Sequence, residues 1–208
     1  MVEQQIAAYF NDFADRWDDI NIHDEEKINR ILDFSGIKAG DNVLDVACGT
    51  GILLPYLLQR EVNAIDGIDF AERMIALAQG KWASVAFKSS CTVSYTVADA
   101  YCYQPVGTLY DVILVYSAFP HFEKREQLIA HLGKLLKHGG HLVIAHSESR
   151  DKINAHHSCM TAGLSWELPE VFLLKEKYFS DSHKWKCCYT QDDEDMYLLV
   201  AEKMEKDS

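Results

Sequence analysis

The chain has 208 residues, 48% of them hydrophobic and 25% charged, with a formal net charge of -12 at pH 7. That length supports one domain with a substantial core and not two large ones. The acidic balance excludes a general binder of nucleic-acid backbone, which needs clustered Lys and Arg.

Residues 3–20 read as an amphipathic helix, with Ile6, Tyr9, Phe10, Phe13, Ala14 and Trp17 on one broad face fit to pack on the domain edge. A second helix over 24–34 turns Ile28, Ile31, Leu32 and Phe34 inward and ends at Gly36 and the Lys38–Asp41 turn. Asn42–Val46 is a short buried strand, followed by the tight turn Cys48-Gly49-Thr50-Gly51 and helical periodicity from Ile52 to Leu58. Glycines serve where a turn is too sharp for a side chain or where a ligand lies against the backbone. A second strand over 63–69 closes on Asp69, 18 residues after Gly51, which suits an acid reaching a ribose diol. Ala71, Met74, Ile75, Leu77 and Ala78 stripe a helix ending near Gly80, and 93–98 alternates as a third strand delivering Asp99. Taken alone, an Asp in that place is turn chemistry.

Tyr110–Tyr116 is a fourth buried strand, continued by Ser117-Ala-Phe-Pro-His-Phe122 and a helix over 123–136. Its C-terminal Lys134, Lys137 and His138 are the nearest thing to a basic cluster and suit the helix dipole. After the Lys137-His-Gly-Gly140 turn, His141–His146 forms a fifth strand. Residues 147–170 read as a loop and helix above the strand ends, 169–179 as a helix, and 184–190 and 196–202 as two strands across an acidic turn. The end, Lys203–Ser208, is expected to fray.

The run Asn42-Val-Leu-Asp-Val-Ala-Cys-Gly-Thr-Gly51 resembles motif I of the class I S-adenosylmethionine-dependent methyltransferases, roughly VLDxGCGTG, with Ala47 where glycine is usual. It matches the dinucleotide fingerprint G-x-G-x-x-G less well, because Leu54 stands at the third glycine. The resemblance implies a three-layer doubly wound α/β domain spanning 1–208. Its seven-stranded sheet would have the order 3-2-1-4-5-7-6, with strand 7 antiparallel. It implies S-adenosylmethionine as cofactor, with Asp45, Gly49 and Gly51 at its methionine end, Asp69 on the ribose and Asp99 on the adenine amino group. Ala47, Phe70, Met74, Ala100, Val115 and Trp17 complete the implied cofactor set. The run Tyr9–Asp18 resembles the opening of small-molecule and quinone-type members, which makes 1–34 either a lid or an edge helix. Lys137-His-Gly-Gly140 resembles the family's LKPGG turn, and 147–170 lies where the family builds its substrate cap.

No Asn-Pro-Pro-Tyr or Asp-Pro-Pro-Tyr follows the fourth strand, which with the negative charge points to a small soluble acceptor. His121, His146 and His157 are the candidate acid-base or orienting groups, since a near-neutral pKa suits imidazole to take a proton from a hydroxyl, thiol or amine. Arg150, Asn154 and His157 recur at helical spacing and are expected to face the acceptor, with Arg150 either holding a carboxylate or pairing with Glu148 or Asp151. Tyr116 and Phe119 are aromatic wall candidates beside a sulfonium. A metal held by the histidines is the minority alternative; no metal is expected. The six cysteines include no C-x-x-C pair, so neither a disulfide framework nor a structural zinc site is indicated. Free thiols, the absence of a leader-like N-terminus and the lack of a long apolar run lead to the expectation of a cytoplasmic protein, off the membrane, monomeric or homodimeric. A cofactor-binding subunit without transfer activity, a nicotinamide oxidoreductase and an RNA methyltransferase are the competing readings.

Overall fold

Three residues of the motif strand, Val43, Leu44 and Val46, are wholly buried, because β1 (Asn42–Val46) lies in the middle of the sheet. The computed structural model describes residues 2–88, 90–105, 107, 109–158, 163–180 and 184–205. The other strands are β2 (Ala64–Asp69), β3 (Thr92–Val97), β4 (Tyr110–Tyr116), β5 (Leu136–His146), β6 (Trp185–Asp192) and β7 (Tyr197–Lys203). They form one seven-stranded sheet in the order β3-β2-β1-β4-β5-β7-β6. The pairings from β3 through β5 are parallel, while β7 is antiparallel to both β5 and β6, in agreement with the expected topology.

Strand side chains alternate between the two faces. Leu44, Val46, Ile113, Val115, Leu142 and Ile144 point to one core, which α6 (Arg125–Leu135) and α8 (Val171–Tyr178) cover. Val43, Val112, Leu114, Val143 and Ala145 point to the other, under α3 (Glu25–Phe34) and α4 (Leu54–Leu58). The start of α3 is set by Asp24, whose Oδ1 accepts from the backbone N–H groups of Glu26 and Lys27 at 2.9 and 3.2 Å.

Three local expectations change. The single helix over 3–20 is two, α1 (Val2–Phe13) and α2 (Trp17–Ile20), joined by a 3-10 turn over Ala14–Arg16. The helix α5 (Glu72–Lys88) runs eight residues beyond Gly80, which stands where an added Cβ would meet nothing, so no turn requires it to end there. Residues 137–140 belong to β5 instead of closing a turn: Leu136 pairs with Tyr110, and the register then shifts so that His141 pairs with Val112. Gly140 is required in that shift, since a Cβ there would lie 2.9 Å from the Asp111 carbonyl oxygen. After α7 (Arg150–Ser158), the continuation of the cap through Cys159 and Met160 as far as 162 lies outside the described residues, as does the terminus from 206.

Candidate functional site

Parallel strands leaving a reversal of sheet order open a crevice at their C-terminal ends. Here the reversal falls between β1 and β4, and a cavity of about 370 Å³ sits over it. β1 supplies Asp45 and the following Ala47, Cys48 and Gly49; β2 supplies Ile68 and Asp69; β4 supplies Tyr116 and the following Ser117 and Ala118; β5 supplies His146 and the following Ser147.

The β1 end is a ligand cradle made of backbone. Ala47 and Gly49 both hold positive φ, 55° and 54°, and Ser117 at the end of β4 does the same at 53°. Left-handed backbone at a non-glycine residue costs about 1–2 kcal/mol, and two such residues sit on adjacent strand ends facing one cavity. Asp69 is held in place by two backbone donors, Gly49 N–H to Oδ2 at 2.9 Å and Ala71 N–H to Oδ1 at 2.8 Å. Each carboxylate oxygen keeps a lone pair for a further donor. Burial raises the Asp69 pKa against the pull of these amides. Asp45 is only 4% exposed, and burial together with the Asp69 charge pushes its pKa up to about 8. Asp99 uses Oδ1 to accept from Tyr101 N–H at 2.8 Å and still lines the cavity, beside Ala100, Phe70 and Met74.

The N-terminal segment closes over this cradle. Ile6, Phe10, Trp17, Ile20, Ile22 and His23 line the cavity from above. Three polar links fasten the segment to α5 and the motif turn: Asn11 Oδ1 accepts from Arg73 N–H at 3.0 Å, Asp15 pairs with Arg73, and Asp18 takes Lys81 at 2.6 Å and the Thr50 hydroxyl at 2.5 Å. Such partly exposed pairs contribute little each, but all three fall on one side of the segment's path.

Opposite the cradle lies a group of imidazoles. His146 is 1% exposed, and neither ring nitrogen has a hydrogen-bond partner; burial takes its pKa down to about 3. His157 has an unpartnered, buried Nδ1 and a pKa lowered to about 4, again chiefly by burial. His121 stands edge-on to His157 at 5.0 Å between ring centroids, and its Nδ1–H donates to the Leu164 carbonyl at 2.8 Å, which leaves Nε2 as the basic nitrogen. Burial lowers the pKa of His121 as well. Tyr116 is engaged rather than free: its hydroxyl donates to Ser147 Oγ at 2.9 Å and shares a 2.8 Å hydrogen bond with His23 Nδ1, and burial raises its pKa to about 12. Among the described residues that line the cavity none is Lys or Arg, whereas Asp45, Asp69, Asp99 and Glu148 are present.

Of the residues expected at the cofactor, Asp45, Ala47, Gly49, Asp69, Phe70, Met74, Asp99, Ala100 and Trp17 line the one cavity, as do Tyr116, His121, His146 and His157. Five of the expected residues are placed elsewhere. Gly51 holds a φ of 77°, which favours glycine, and a Cβ there would run into the Tyr95 ring of β3. Val115 points into the core below α6. Arg150 reaches back to Asp192 at the end of β6, Nε to Oδ2 at 3.1 Å, and only more loosely to Asp151 at 3.6 Å. Asn154 is spent on the Leu168 backbone, donating to its carbonyl at 3.0 Å and accepting its N–H at 2.7 Å. The face of α7 toward the cavity is therefore Ile153, His156 and His157. Phe119 is fully buried under the Arg125 guanidinium. Among the described residues, the crevice histidines do not converge with other donors into a three-ligand metal set. His23, Ser147 and the apolar Ile20 and Ile22 are cavity residues that the sequence did not single out. Only the aromatic face of the first helix gave any sign of them.

A family model described as a methyltransferase domain matches residues 43–140. The chain is 30% identical over 141 residues to a demethylmenaquinone methyltransferase of Thermus thermophilus, covering 65% of this chain and 62% of that one. In structure it is similar to magnesium protoporphyrin IX methyltransferase of Synechocystis with bound S-adenosylhomocysteine, at TM-score 0.71 and 19% identity over 98% of this chain and 100% of the other. It is also similar to the [4+2]-cyclase SpnF, at TM-score 0.73 and 14% identity over 97% of each chain. The chain spans less than two thirds of the length of the curated relatives, from 23% to 62% for two of them. No helix among the described residues is long and apolar enough to cross a membrane.

Proposed function

We propose that the chain is a class I S-adenosylmethionine-dependent methyltransferase, which the match of residues 43–140 to a methyltransferase domain and the likeness to the Thermus protein support, and that it transfers a methyl group from S-adenosylmethionine to a small, uncharged acceptor. The observation that carries this reading is a single cavity holding the motif acids at one end and an unpartnered, buried His146 at the other. The residues present fit the cofactor: Asp69 and Asp99 suit a ribose and an adenine, and an acidic cavity with no Lys or Arg among its described lining residues suits a ligand bearing an ammonium and a sulfonium. When bound, that cofactor supplies an electrophilic methyl group.

The chain's own residues then have three tasks. The N-terminal segment and α7, read as lid and cap, exclude water and hold the acceptor in line, which is where most of the rate gain of a displacement arises. The neutral imidazoles of His121, His146 and His157 accept a hydrogen bond or the proton leaving an O, N or S nucleophile. Tyr116, fixed between His23 and Ser147, shapes the wall. A carboxylate or phosphate on the acceptor would meet Asp45, Asp69 and Glu148 with no Lys or Arg among the described lining residues beside it, which favours an uncharged, largely apolar acceptor. Within the family we assign the chain to the quinone-type branch. The likeness to the Thermus protein and the apolar mouth at Ile20 and Ile22, 56% and 88% exposed, support that placement. A reducing, cytoplasmic setting belongs to the same reading and is supported by five unbridged cysteines among the described residues.

The test is transfer of an isotope-labelled methyl group from the cofactor into a panel of phenols, hydroquinones, amines and their carboxylated analogues. Label entering the uncharged members is the expected result, and preference for the anionic ones would overturn the acceptor class. The cyclase of similar structure motivates a second reading, in which the cavity binds cofactor without transferring its methyl. Binding without label transfer to any class would favour it.

A further inference from the structure

Midway along β5, five residues before His146 and so about 17 Å from it, a second set of metal-ligating side chains comes together. His141 of β5 and Glu202 of β7 are direct cross-strand partners, and Glu202 is in turn opposite Lys186 of β6. β6 is irregular at this point: Cys187 pairs with Ala201 but Tyr189 with Val200, so Cys188 is an extra residue. A bulge of this kind re-aims side chains. Here Cys188 Sγ comes to 3.7 Å from Glu202 Oε2, while Tyr189 stacks on Phe34 at 4.1 Å between ring centroids. One nitrogen, one sulfur and one oxygen of the three residues all lie within 4.8 Å of one another.

We propose that His141, Cys188 and Glu202 form a binding site for one divalent cation of the zinc class, with water in the fourth position. The imidazole is already oriented for it. Its Nδ1 is engaged by the Ser35 carbonyl oxygen at 2.8 Å, which fixes the ring and leaves Nε2 to face a ligand. Gly36 permits that approach, because a Cβ there would lie 2.3 Å from His141 Nδ1. Tetrahedral zinc with bonds of about 2.0–2.3 Å needs ligand-to-ligand spacings of about 3.3–3.6 Å. The Cys188–Glu202 spacing is nearly there, and His141 closes the remainder with a small movement. A borderline N, S, O donor set selects Zn²⁺ or Co²⁺ over the hard cations Mg²⁺ and Ca²⁺. Cys188 is exposed and β6 is the edge strand, so ions have direct access. As the metal–sulfur bond forms, the thiol proton goes to solvent. Lys186, whose ammonium now sits 3.2 Å from Glu202 on a 60% exposed side chain, gives up a surface pair of little worth. The bound ion would tie β5, β6 and β7 together beside α3, well away from the crevice.

The probe is Co²⁺, then Zn²⁺ by competition, added to the full reduced chain. One equivalent of Co²⁺ should produce a thiolate-to-cobalt charge-transfer band that Zn²⁺ abolishes. Cys188→Ser should remove the band and weaken Zn²⁺ at least tenfold. Glu202→Gln should weaken Zn²⁺ while keeping the band, and Cys187→Ser should change neither. Zn²⁺ should raise the Tm of wild type and not of Cys188→Ser, with affinity for S-adenosylhomocysteine equal in both. No band in the wild type, or equal Zn²⁺ affinity in Cys188→Ser, overturns the site. Loss of binding in His157→Ala instead would move the ion to the crevice and overturn it equally.

Discussion

Binding of S-adenosylmethionine should release a proton, and Asp45 is its source. In the free protein the Asp45 carboxyl is held at a pKa of about 8 by burial and by Asp69. At pH 7 it is then about nine-tenths protonated. A ligand bringing positive charge into the same cavity favours the carboxylate, because an opposite charge within a few ångströms lowers a carboxyl pKa by about 1–3 units or more. A shift of one to three units should therefore release from about 0.4 to about 0.9 proton per cofactor bound at pH 7 and raise affinity from about twofold to about eightfold between pH 6 and pH 7. Calorimetry in buffers of different ionisation enthalpy reads the proton count, and the same titration at several pH values reads the slope. Asp45→Asn should bind more weakly and lose both the slope and the buffer dependence. A wild-type heat independent of buffer, with affinity flat from pH 6 to 7, would refute the reasoning.

The same shift has a stability consequence: a carboxyl whose folded pKa lies above its unfolded value destabilises the free fold as pH rises from about 4 to about 8, so unliganded Asp45→Asn should gain Tm over wild type through that window. Asp69→Ala, which removes the acceptor for the Gly49 and Ala71 amides, should cost about 1.5–3 kcal/mol of cofactor affinity; unchanged calorimetric affinity in a folded variant would remove Asp69 from the site. His157→Ala should lower turnover while leaving S-adenosylhomocysteine affinity within about twofold. Since His146 and His157 are neutral down to about pH 3 and 4, the rate should show no step centred near the ordinary imidazole pKa of about 6.5, and such a step would contradict their assigned state. Those depressed values also mean that stability present above about pH 6.5 is lost as pH falls toward them, so His146→Leu should lower the acid-unfolding midpoint. Gly51→Ala should destabilise the fold through Tyr95, and Tyr95→Phe should restore part of the loss; a pure loss of cofactor affinity with normal Tm would return Gly51 to the ligand.

The central strands and the glycine turn were legible in the sequence because both rest on local signals, whereas the strand order followed from the resemblance to the methyltransferases. A buried run ends in a glycine turn, and an acid stands at the end of the next strand. What escaped were contacts made by residues far apart in the chain. His23 meets Tyr116 across 93 positions, and nothing near either residue marks the other. Arg150 and Asn154 share a helix face with His157 by spacing alone, but Asp192 and the Leu168 backbone claim them first. Gly80 and Gly139–Gly140 look like stops, yet the first sits on an open helix surface and the second pair within a strand whose register shifts. The His141–Cys188–Glu202 set draws on three strands and a bulge, which no short ligand spacing announces.

The proposed transfer requires one cavity to bind the cofactor and present its methyl to an uncharged acceptor beside the buried histidines. A crystal structure of the chain with S-adenosylhomocysteine tests it most directly. The ribose is expected on Asp69, the adenine near Asp99 and Ala100, and the sulfur facing open space bounded by Tyr116, His121, His146 and His157. A sulfur walled off from those histidines, or S-adenosylhomocysteine bound outside this cavity, would contradict it.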